Sequence, residues 1–130
     1  MRPKTYADLE VFQPDVHVEL VNGDLVFQRS STPRHQLAMS ELNSRLRQNY
    51  RGEWLLLTDV DTQCGRDVYR PDVAGWRKPN WPEMESLPVR IRPDFVAEIV
   101  SPAYRKYDRH TKRAAYEREG WRHYWIVDPE

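Results

Sequence analysis

Apolar positions along this chain follow two rhythms, one of period two and one of about 3.6. His17-Val-Glu-Leu-Val21 and Asp24-Leu-Val-Phe-Gln28 alternate or run β-branched on either side of Asn22-Gly23, which predicts a tight β-hairpin. Leu37, Met39, Leu42 and Leu46 then recur at helical spacing and predict a helix over about 33–50. Ser31-Thr32 offers its N-cap and Pro33 suits its first turn. Trp54-Leu-Leu-Leu-Thr58 reads as a short strand, with Val68-Tyr69 and Pro71-Asp-Val-Ala-Gly-Trp76 as two more tied by Arg70. Asp94-Phe-Val-Ala-Glu-Ile-Val100 is the clearest buried strand, closed by Ser101-Pro102. A charged segment over 105–119, with Ala114, Ala115 and Tyr116 inside it and Gly120 after it, predicts the second main helix. Trp121 to Val127 is a last strand, stopped by Asp128-Pro129.

Thr5 to Phe12 fits one short helix ahead of these elements, and 77–92, broken by Pro79, Pro82 and Pro88, fits a loop with one helical turn. The resulting order, β-β-α-β-β-β-α-β, is mixed α/β in a single domain over 1–130. The strand–helix–strand unit at 94–127 should be parallel and right-handed.

Composition narrows the reading. With Gly counted and Tyr left out, apolar residues make up about 38% of the 130, below the 45–50% of ordinary domains. Mean hydropathy is −0.85, a thin core for the chain's size, while fifteen Trp, Tyr and Phe residues argue against disorder. Twenty Lys+Arg against twenty Asp+Glu removes any whole-domain basic footprint for nucleic acid, though not a local one. Cys64 alone can form neither an internal disulfide nor a thiolate metal cage, and no segment reads as a leader or membrane span, so the expected compartment is the cytoplasm.

Glu98 is the informative anomaly. Asp94, Val96, Glu98 and Val100 share one face of a strand that is apolar on both sides, where a lone carboxylate is costly unless paired or bound to a cation. A Glu at the strand's solvated end, or one satisfied by a core Arg, would leave the same pattern. Asp72 lies upstream at the start of another strand, and two carboxylates on neighbouring strands can hold hard cations such as Mg²⁺. Turn chemistry after Pro71 explains Asp72 equally well when it is taken alone. Asp108, Lys112 and Tyr116 follow at i, i+4 and i+8, one helix face, with Lys112 beside the buried side. There it could position or deprotonate a water or neutralise phosphorane charge; a surface Asp–Lys pair is the plain alternative.

Arg70-Pro-Asp72, then Pro93-Asp-Phe-Val-Ala-Glu98-Ile-Val-Ser-Pro102, then Asp108-x3-Lys112-x3-Tyr116, then Tyr124-Trp-Ile-Val-Asp-Pro129 together resemble the Uma-type restriction endonuclease family, a branch of the PD-(D/E)XK nuclease superfamily. Val18 to Val26 resembles its opening hairpin, and Pro33-Arg-His35 the start of its first helix. The resemblance implies a restriction-endonuclease-like core with a mixed central sheet flanked by helices. It implies a metal-dependent DNA endonuclease using Mg²⁺ or Mn²⁺ and leaving a 5′-phosphate. Asp72 and Glu98 would be the metal ligands and Lys112 the catalytic lysine, displaced onto the helix because Val100 stands at its usual place. Glu19 and His35 match recurrent family positions, with Glu19 as an auxiliary metal contact. Asp94, although it follows Pro93, is about 13 Å along the strand from Glu98, too far to share its ion.

Family members usually continue past the Asp-Pro with further strands, and this chain stops at Glu130. A truncated chain, a naturally shortened protein or completion by a homodimer would each account for the missing strands, and a homodimer is the expected partner state. For DNA, residues 103–130 carry seven Lys/Arg against five Asp/Glu, which makes Arg105, Lys106, Arg109 and Arg113 the contact candidates. The rival to an endonuclease is a catalytically inactive nuclease-fold module that binds DNA or protein.

Overall fold

The computed structural model describes residues 2–12, 16–28, 32–50, 52–100 and 108–128. After a short helix, α1 (Tyr6–Glu10), come β1 (Val18–Val21), β2 (Asp24–Phe27), α2 (Pro33–Asn49), β3 (Trp54–Thr58), β4 (Thr62–Cys64), β5 (Asp67–Tyr69), β6 (Val73–Arg77) and β7 (Phe95–Ile99). A π-helical turn over Asp108–Lys112 runs into α3 (Arg113–Arg118), and β8 (Tyr124–Val127) follows. Among the described residues no helix is long and apolar enough to cross a membrane.

The expected hairpin forms because Asn22 (φ 51°) and Gly23 (φ 82°) both take the left-handed conformation that a two-residue turn needs. Val18 then faces Phe27 and Val21 faces Asp24. Thr32 caps α2, its Oγ1 accepting from the His35 amide at 3.2 Å. The strands divide into two four-stranded sheets, β2-β1-β5-β4 and β3-β6-β7-β8. Within the second, β7 pairs antiparallel with β6 and parallel with β8, the parallel pairing expected of the 94–127 unit.

Strand β7 is covered on both faces. Phe95 and Ala97 join Leu46, Leu56 and Val73 in the core. Val96, on the opposite face, packs with Tyr69, Trp76, Ala115, Tyr116 and Trp121. The latter core is aromatic: the Tyr116 and Trp121 rings stack at 4.3 Å, and Tyr69 meets Tyr116 edge-on at 5.4 Å. By alternation Glu98 belongs to this aromatic face. Gly120 (φ 77°) ends α3 in the expected left-handed conformation, and the Trp121 amide returns to the Tyr116 carbonyl at 2.9 Å.

Gly75 is small because the Phe95 ring fills the place where its Cβ would stand. Gly75→Ala is expected to cost about 1–3 kcal/mol by overpacking, read as a lowered urea midpoint with an unchanged m-value.

Two features differ from expectation. The helical turn within 77–92 does not form; instead Val89 bridges Thr62 in parallel, with Gln63 N–H donating to the Val89 carbonyl at 2.8 Å. Thr62–Cys64 is itself a strand, paired antiparallel with β5, which three residues of weak alternation had not revealed. Asp94 lies just before β7, and its carboxylate accepts from the amide of Arg77, the last residue of β6, at 2.7 Å. Cys64 is buried, and burial, with Glu119 and Asp67 nearby, pushes its thiol up to about 12.

Candidate active site

Glu98 and Lys112 are both buried, at 3% exposure each, and they are paired. Lys112 Nζ donates to Glu98 Oε1 at 3.0 Å and lies 3.2 Å from Glu19 Oε2, so one ammonium bridges carboxylates from the two sheets. Tyr116, one turn along the helix, donates its hydroxyl to the same Glu98 oxygen at 3.2 Å. Lys112 ends the π-helical turn. Lys112 and Tyr116 keep the i, i+4 relation that aims them together, while the side chain of Asp108 lies outside the described residues.

Glu19 has no exposed surface. Its Oε2 also accepts the Arg70 amide at 2.7 Å, and Gln28 Nε2 approaches Oε1 at 3.3 Å. Burial pushes this carboxyl up, but Lys112, His17 and the Arg70 amide outweigh it and bring it down to about 2. The Arg70 side chain turns to Asp61, with Nε 2.9 Å from Oδ1, and Tyr6 donates to the other Asp61 oxygen at 2.8 Å.

Asp72 lies one step beyond the Val73–Ala97 pair of β6 and β7, a register that carries it opposite Glu98. Its Oδ2 accepts the Ile99 amide at 2.6 Å and lies 3.2 Å from His35 Nε2 in the first turn of α2. Glu98, Lys112, Glu19, Asp72 and His35 are thus drawn from β7, the π-helical turn, β1, the approach to β6 and α2. Arg113 sits at the surface, paired with Glu117 at 3.2 Å. Arg105, Lys106 and the side chain of Arg109 lie outside the described residues.

Sequence reasoning missed Asp59. It holds a left-handed backbone (φ 51°) after β3, with its amide directed at the Pro71 and Asp72 carbonyls at 3.2 and 3.3 Å. Partial burial of the carboxyl first, then the negative charge of Asp72, raises its pKa, although Asp59 as a whole is exposed. The available signal was Asp59-Val60-Asp61, two acids alternating with an apolar residue directly after a strand.

Four of the five buried carboxylates among the described residues (Glu19, Asp61, Asp72, Glu98) pair with Lys112, Arg70 and His35. The excess negative charge and hard oxygen donors fit a divalent cation. Among the described residues no three His, Cys, Asp or Glu side chains are grouped so as to hold a metal. Mg²⁺ asks for less, since one or two carboxylates suffice when waters and phosphate complete its shell.

The family model "Uma2: Putative restriction endonuclease" matches residues 3–130. The chain belongs to the Uma2 family. A crystal structure described as "a putative nuclease belonging to DUF820", from Anabaena variabilis, superposes on this Uma2 chain with a TM-score of 0.81 and 19% identity, covering 98% of this chain and 75% of the other. At that identity the likeness establishes the fold, a nuclease fold. No curated protein matches this Uma2 chain.

Proposed function

We propose that this Uma2 chain is a metal-dependent DNA endonuclease with Asp72 and Glu98 as ligands for Mg²⁺ or Mn²⁺ and Lys112 beside the attacking water. The observation that carries the reading is the buried Lys112 ammonium 3.0 Å from Glu98, supplied from a helix although Val100 stands where a strand lysine is usual. A divalent cation bound there would activate a water and neutralise charge on the phosphate.

The chain's own residues divide the remaining work. Two carboxylates lie within 3.2 Å of Lys112 Nζ, and the role this geometry supports is a positive charge held toward the phosphate. The Tyr116 hydroxyl fixes the Glu98 carboxylate, and the Ile99 amide and His35 fix that of Asp72, which restricts both to one orientation. Both of these contacts of Asp72 fall on Oδ2, so Oδ1 is the oxygen offered to a ligand. Glu19 serves first as the second anchor of Lys112, and any contact it makes with a metal is auxiliary to that.

The test is incubation with plasmid and with single-stranded DNA in Mg²⁺ or Mn²⁺, against EDTA. Cleavage is expected with metal and none with EDTA. Equal background in both supports the alternative, a catalytically inactive module that keeps the fold.

A further inference from the structure

Leu20, the neighbour of Glu19 on β1, points to the other face of its strand and lines a cleft of about 930 Å³ there. Lys4, Arg66, Arg90 and Arg118 surround this cleft. It continues past Gln63 and Gly65 into a second hollow of about 570 Å³, bordered by Arg90, Arg92 and Trp121. Asp67 and Glu119 are the acidic groups on its walls, and Arg118 already lies 3.5 Å from the first and 3.2 Å from the second. Arg66, Arg90 and Arg92 are exposed and have no acidic partner among the described residues.

The chain's backbone brings these groups together. Pairing of Val89 with β4 lays 89–92 along that strand's edge. Gly65 and Gly120, both left-handed, let the β4–β5 turn close on the Glu119 carboxylate and let the Arg92 guanidinium rest against the end of α3. A solvated surface scatters its arginines among counter-charges, whereas here uncompensated ones converge on a concavity.

The candidate active site has the opposite sign. Among the described residues Glu19, Asp61, Asp72 and Glu98 are buried there with the cations Arg70 and Lys112, and the chain as a whole is neutral. A phosphodiester strand is repelled by such a centre and gains nothing from the net charge, so its attraction must come from a local basic surface. We propose that the Arg66–Arg90–Arg92 cleft docks the phosphate backbone of DNA, on the opposite face of the β2-β1-β5-β4 sheet from the acidic centre. This inference rests on DNA being the substrate.

Fluorescence anisotropy of a short labelled DNA duplex, in EDTA and over a KCl series, tests the cleft without cleavage. The triple variant Arg66→Gln, Arg90→Gln, Arg92→Gln is expected to bind on the order of 10²-fold more weakly, with a salt slope shallower by about 2–3. Its thermal midpoint should match that of the parent, because all three side chains are exposed. Arg45→Gln, one charge lost from the exposed face of α2, should change binding by less than about twofold while Arg90→Gln weakens it several-fold. A triple variant that binds like the parent, or an Arg45→Gln loss equal to that of Arg90→Gln, overturns the cleft alone. A parent chain that does not bind duplex overturns the cleft and the DNA reading together.

Discussion

Lys112→Met is expected to lower stability by about 3–5 kcal/mol at neutral pH, and to give most of it back in acid. In the parent, one ammonium serves Glu19 and Glu98 at 3.2 and 3.0 Å inside the buried core. Methionine fills much the same volume but takes the shared ammonium away from two buried carboxylates, which keep the Arg70 amide, Gln28, His17 and the Tyr116 hydroxyl among their partners.

The pH dependence separates this cause from ordinary repacking. Glu19 in the folded parent titrates at about 2, below its unfolded value of about 4.3. The parent's contribution from this group is therefore complete above about pH 5 and is lost as pH falls through about 4 toward 2. Without Lys112, burial dominates and lifts the folded value above the unfolded one. The variant then prefers its protonated carboxyl, so its stability falls as pH rises through the unfolded value. Urea midpoints between about pH 3 and 7 should rise with pH for the parent and fall for Lys112→Met. Parallel curves would refute the ion pair as the source of the loss. Adding Glu19→Gln to Lys112→Met should recover part of the stability, a non-additivity that a packing defect would not produce.

Glu98→Gln and Asp72→Asn should each reduce metal-dependent DNA cleavage by at least about 10²–10³-fold while the fold persists. The first substitution keeps an acceptor for Lys112 and Tyr116, and the second keeps one for the Ile99 amide, so the packed side chains hardly move. What each substitution removes is half of the carboxylate pair and one unit of the excess negative charge. Calorimetric titration with Mn²⁺ supplies a second readout: binding heat present in the parent and lost in both variants ties the effect to the ion. Cleavage undiminished in either variant would remove that residue from the ligand set.

Much of this was legible in the sequence, and what was not has a physical reason. The hairpin, α2, β7 and the end of α3 announced themselves through local chemistry: Asn22-Gly23, a cap before Pro33, unbroken apolar alternation, Gly120. Glu98 stood out because burial of a charge is costly wherever it occurs. Thr62–Cys64 was illegible because its strand character comes from partners outside it, Val68 on β5 on one side and Val89 on the other. Division of the strands into two sheets was hidden for the same reason, since pairing of β1 with β5 joins positions 48 apart through the single register Leu20–Val68. Glu19 could be flagged but not assigned, because its partner Lys112 lies on a helix turn whose π-winding no spacing rule anticipates. Asp59 drew no notice in the sequence, because what sets it apart is a backbone held against Asp72 by the fold.

The bridge made by Lys112 also ties two assembly events together. Glu19 comes from one sheet and Glu98 from the other, and the ammonium reaches both with the helix in place. The proposed cutting centre therefore exists only where both sheets and the helix have come together.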